Sequence, residues 1–134
     1  MSQDNLEIVK RWVRAFNQRD MDALLDTTTT DFEFTPYLAN LIETTTYHGH
    51  DGLRKYFADA DSAWEDIQVR LKDLRAAPDD RVFVAGELQA RGRVSGADVR
   101  VAVAWAVGLR VDKLAWASAY ESEDDALEAA GLSE

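Results

Sequence analysis

Few side chains in this chain are of a type and spacing to do chemistry, and they fall in two short stretches. The first is FEFTPYL, residues 32–38, where Glu33 stands between two phenylalanines in what reads as a strand. Alternation puts Phe32 and Phe34 on one face and Glu33 and Thr35 on the other. If the second face looks into a cavity, aromatic neighbours would raise the Glu33 pKa toward that of a general base. If it looks into water, Glu33 is a solvated or arginine-paired surface group. The second stretch is HGHD, with His48, His50 and Asp51. It could suggest a metal, but a strand-end histidine, a glycine and a helix start describe a turn. Nothing points to converging ligands from elsewhere, and no metal is expected. His48 remains a candidate proton carrier, because imidazole titrates near neutrality.

Other chemistries are excluded by what is missing. The chain has no cysteine, so thiolate nucleophiles, thiolate metal sites and disulfides are ruled out. GLRKYF lacks the second glycine of a phosphate loop, and no serine sits in a nucleophile-elbow context. No cofactor is implied. A formal charge of −10, from 15 basic and 25 acidic residues, opposes nucleic acid or an anionic membrane as partner. The opening MSQDNLEIVKRW has no uncharged apolar core and no run reaches membrane-spanning length, so a soluble cytoplasmic protein is expected.

The elements that must position these residues follow from periodicity. The 134 residues, 46% of them apolar, read as one domain over 1–134. DNLEIVKRWVRAFNQRD carries Leu6, Val9, Val13 and Phe16 at helical spacing, widened by Ile8 and Trp12. Asp20 caps a short helix, MDALLDT, and DFEFT is a strand that stops at Pro36. PYLANLIETTTYHG is a connection, and HDGLRKYFADADSAW a third helix. Period-two strands follow: 67–72, 82–90, 99–109 and 114–120, with turns at APDDR and at Ser95-Gly96. EDDALEAAGL is a closing helix ending near Gly131. The order predicts an α+β architecture, helices first and then one curved antiparallel sheet.

In VKRWVRAFNQRDMDALL, YHGHDGLRKYF, the meander and AYESEDDALEAAGL, the chain resembles the SnoaL-like branch of the nuclear transport factor 2-like superfamily. The resemblance implies a cone, in which a bent sheet and its helices enclose a deep pocket. It also implies a homodimer through the outer face of the sheet. In the related ketosteroid isomerases the base immediately precedes a proline in the first strand and points into the cone. The matching residue is Thr35, which by implication turns Glu33 inward as well. That family's other two catalytic positions fall on Trp12 and on or beside Trp105, so all three depart and steroid isomerisation is not expected.

The last hairpin sharpens the pocket. With a three-residue turn over 110–112 and Asp112 left-handed, Trp105 shares a face with Ala115, Ala117 and Ala119. A large residue beside a row of alanines leaves room for a ligand among Leu88, Val101, Val103 and Trp105. A two-residue turn would exchange the partners. The same register sets Trp116, Ser118 and Tyr120 beside Ala104, Ala106 and Gly108 as a dimer face. Tyr37, Leu38, Leu41 and Ile42 would roof the mouth. The expected occupant is a small apolar organic molecule, cyclic or aromatic. It would be held by Trp12, Phe16, Thr35, Tyr37, Tyr56, Leu88, Val103 and Trp105, although Phe16 also reads as plain core. Any catalysis would be cofactor-free proton transfer or aldol cyclisation with Glu33 as base, assisted by Trp12, Thr35 or His48. The alternatives are a non-catalytic ligand-binding or dimerisation module of the same fold, and a protein-binding adaptor with a solid core.

Overall fold

The computed structural model describes residues 2–36 and 46–132. Tyr37, Leu38, Leu41 and Ile42 lie outside the described residues, so their expected place over the mouth is not addressed. Helix α1 (Ser2–Gln18) buries Val9, Trp12, Val13 and Phe16, the stripe its spacing defines. Helix α2 (Met21–Asp26) starts where expected, with the Asp20 carboxylate accepting from the Ala23 N–H at 3.2 Å. The Thr27 and Thr28 hydroxyls donate to the Ala23 and Leu24 carbonyls at 2.9 and 3.0 Å, closing that helix. The threonine run then becomes strand, so β1 (Thr28–Thr35) begins at Thr28 rather than at Asp31.

Strand β2 (Tyr47–His48) leads into α3 (Gly49–Ala63), and β3 (Trp64–Ala77) starts directly where that helix stops. Strands β4 (Arg81–Gly92), β5 (Asp98–Arg110) and β6 (Lys113–Tyr120) form the meander. Helix α4 (Glu123–Ala130) is capped by Ser122 and ends at Gly131, whose φ of 81° suits a residue without a Cβ. The sheet order is β2-β1-β6-β5-β4-β3, and only the β1–β6 pair is parallel. Helices α1 and α3 cover the inner face, where the main core lies. Helix α4 covers a second, smaller cluster around Phe83, Ala104 and Ala106 on the outer face. No helix among the described residues is long and apolar enough to cross a membrane.

The β5–β6 turn departs from the expected geometry but preserves the expected faces. Arg110 pairs with Lys113, so the turn has two residues, Val111 and Asp112, at φ 51° and 63°. Both left-handed residues together make the hairpin turn that matches strand twist. The register then shifts between Gly108 and Leu109, where a bulge absorbs the extra residue Ala115. Trp105 consequently opposes Ala119 and Val107 opposes Ala117, while Trp116 opposes Gly108.

Strand β3 is the far edge of the sheet, and two side chains join α1 to it, Gln68 and Asn17. Gln68 Nε2 donates to the Asn17 backbone carbonyl at 3.1 Å. Asn17 Nδ2 donates to the Val69 carbonyl at 2.9 Å, and Asn17 Oδ1 accepts from the Val69 N–H at 2.8 Å. The amide thus stands in for a neighbouring strand residue and occupies an edge that would otherwise invite another chain.

Replacing Asn17 by Ala leaves both Val69 groups without these partners and is expected to cost about 2 kcal/mol, read from urea unfolding. Val111→Asn, which relieves a β-branched residue of its left-handed backbone, is expected to stabilise by about 1 kcal/mol in the same assay.

Candidate functional site

The inner face of β1 is set by its two phenylalanines. Phe32 and Phe34 are buried, and both pack against Trp12 of α1, tilted and edge-on, with ring centroids 6.1 and 5.5 Å away. Burying each ring is worth roughly 1.5–3 kcal/mol, whereas sinking a carboxylate costs several. Alternation therefore sends Glu33 outward. Its side chain is 56% exposed and lies 3.5 Å from His48 Nδ1, across the β1–β2 pair, with His48 70% exposed. The expectation that Glu33 points into the hollow is corrected by this geometry, and His48 goes with it. Thr35 shares that outer face, its hydroxyl 2.9 Å from that of Thr46. The residue before the proline thus faces outward, while Phe34 and Pro36 face in.

Between α1, α3 and the sheet lies a cavity of about 50 Å³. Helix α1 contributes Val9, Trp12, Val13 and Phe16, and α3 contributes Tyr56. The sheet supplies Val69, Val84, Leu88, Trp105, Val107, Leu114 and Ala117. Trp105 is half-buried, and the backbone of Gly86 passes beneath its indole; an added Cβ there would sit 3.4 Å from Cζ3. Benzene occupies an engineered cavity of about 150 Å³ in another protein, so a ring-sized guest here requires a wall side chain to swing. Trp105 has the exposed surface to do so.

Among the described residues, none that lines the cavity carries a charge. The neighbouring Arg19 guanidinium lies over the Phe57 ring at 5.1 Å and pairs with Asp61 at 3.2 Å. Three lining residues have polar tips, Trp12, Tyr56 and Trp105. Burial pushes the Tyr56 phenol well above its ordinary pKa, so it stays protonated and is no base. Trp12 Nε1 is buried and meets no acceptor among the described residues, a state that costs about 1–3 kcal/mol.

Of the expected ligand-binding residues, Trp12, Phe16, Tyr56, Leu88 and Trp105 line this cavity. Val103 is buried in the same core, opposite Gly86, but does not reach the wall. Ala117, from the expected row of alanines, also lines the cavity. Phe34, Val84 and Val107 were not singled out as pocket residues, although alternation with Phe32 already marks Phe34 as inward. On the outer face, α4 already covers Ala104 and Ala106, so this part of the expected dimer surface is taken by the chain itself. Trp116 and Tyr120 are half-buried beside it. The two histidines do not converge: His50 Nε2 lies 3.2 Å from the Thr28 hydroxyl, whereas His48 faces Glu33.

The fold matches known proteins. A profile of the SnoaL-like domain family matches residues 9–117, and the chain belongs to that family. No curated protein matches the sequence. Among solved structures, a nuclear transport factor 2-like protein of unknown function from Burkholderia pseudomallei superposes with a TM-score of 0.78. It is 16% identical over 95% of this chain and 97% of its own. A candidate polyketide cyclase from Xanthomonas campestris pv. campestris gives 0.77 at 14% identity, covering 92% and 94%. TerC, co-crystallised with polyporic acid, gives 0.76 at 18%, covering 87% and 90%. These likenesses establish the cone fold.

Because Glu33 and His48 face solvent, Glu33→Gln is expected to leave the melting temperature unchanged within error, measured by circular dichroism.

Proposed function

We propose that this SnoaL-like protein holds a small, neutral, apolar organic molecule inside its cone. The observation that carries the reading is the cavity itself, an apolar hollow walled by Trp12, Phe34, Tyr56 and Trp105 at the place where the sheet and two helices meet. An adaptor working through its outer surface gains nothing from such a hollow, since unfilled core volume destabilises a protein. The co-crystallisation of TerC with polyporic acid supports small-molecule binding within this fold. Proton transfer or aldol cyclisation would need a base in the wall. The described walls supply only a protonated phenol, so the binding reading is the one the geometry favours.

The test is a thermal-shift panel of cyclopentanone, toluene and indole, run on the native chain and on Ala117→Phe, which fills the cavity. A true occupant tenfold above its dissociation constant should raise the native melting temperature by about 4 °C or more and leave the filled variant unmoved. Equal shifts in both proteins would place binding elsewhere.

A further inference from the structure

The side chains that close the hollow are not equally well held. Trp12, Phe16, Phe34 and Tyr56 are buried and interlock ring against ring, with centroids 4.9 to 6.1 Å apart. Trp105 takes part in none of these ring pairs, and only it and Val69 among the described lining residues are not buried. We infer that Trp105 is the gate of the cone: its indole swings toward solvent to admit a guest, which takes the space the indole vacates. This rests on the cavity's being a ligand site and adds how that site opens.

The volume demands a moving part. About 50 Å³ is too little for a single aromatic ring, for which a hollow of about 150 Å³ serves elsewhere. Swinging any of the four interlocked rings would break aromatic contacts and carry buried apolar surface into water. Val69 is a poor gate. Its side chain is short and stiff at χ1, and Asn17 holds both its N–H and its carbonyl. Trp105 has neither restraint. Its indole lies over Gly86, which offers no side chain to wedge it, and across the β5–β6 pair it faces only Ala119. On the β4 side it meets Val84, so neither flanking partner offers its N–H a side-chain acceptor. Turning outward therefore forfeits only the burial that a half-covered ring still has, and its N–H gains water. Apparent affinity is then reduced by the fraction of time the gate stands open.

The experiment uses toluene as guest and reads the solvent exposure of each indole N–H in ¹H–¹⁵N spectra, from line broadening by a soluble gadolinium chelate. Trp105→Phe assigns the Trp105 signal by its loss. Ala117→Phe, which fills the hollow, verifies that toluene binds inside it. When the native chain is saturated, broadening of the Trp105 signal is expected to rise about twofold as the half-covered ring becomes exposed, while the Trp12 signal stays protected. In Trp105→Ala, where the opening has no door, toluene should associate about tenfold faster than with the native chain. A Trp105 signal that is unchanged or better protected with toluene bound overturns the inference and leaves the cavity a binding site with a fixed indole wall. Equal association rates overturn it likewise. So does binding to Trp105→Ala alone, which would make the indole a permanent plug. If toluene binds neither protein, the ligand reading fails and this inference with it. Should Trp105→Ala not fold, the Trp105 signal of the native chain decides.

Discussion

The structure depends on which way one strand faces. Strand β1 has two phenylalanines on one side and a glutamate and a threonine on the other, and the period of two forbids any compromise. With Phe32 and Phe34 inside, Trp12 acquires two aromatic neighbours, and Phe34 meets Tyr56 edge-on at 4.9 Å. A chain of rings then runs from α1 through β1 to α3 and holds the two helices against the sheet. Edge-on and tilted arrangements suit the ring quadrupoles. The same choice exports the acidic and imidazole side chains to the solvent side, so the interior that receives the helices is left, among the described residues, with the phenols of Tyr47 and Tyr56 as its buried ionisable groups.

The hollow itself comes from mismatch along β5 and β6. Trp105 is large, while Ala117 and Ala119 beside it are small, and the inner surface between them is not filled. The bulge at Ala115 matters here, because the two-residue turn alone would have carried Trp116 to the inner face. Trp116 would then occupy space that Ala117 leaves open. Instead it lies over Gly108 on the outer face, where an added Cβ would collide with the indole.

Much of this was legible in the sequence. Helical spacing marked α1 and α3, alternation marked the strands of the meander, and the order of elements pointed to the cone. The faces of β5 and β6 were also read correctly, although by a different turn: a three-residue turn and a two-residue turn with a bulge have the same parity. What failed was the direction of Glu33. Its inward orientation came from transferring a relative's base position across the proline, and that transfer ignored what the residues themselves said. Two phenylalanines outweigh a threonine and a glutamate in any contest for the interior. The helix start at Gly49 was less legible, because His48 makes no side-chain cap there. The cover by α4 was also missed, since small residues such as Ala104 and Ala106 suit a packed helix as well as a second subunit.

The parallel pairing of β1 with β6 sets an order of events in synthesis. Thr28 lies beside Leu114, and the Thr27 carbonyl waits for the Leu114 N–H at 2.9 Å. While the chain is being made, β1 has only the two-residue β2 to pair with, and the ring system of α1 and β1 stays open to water until the final strand has emerged from the ribosome. Contacts so distant in sequence form slowly and leave apolar surface uncovered meanwhile. A nascent chain stalled before Lys113 would therefore display its aromatic interior to any chaperone or protease nearby.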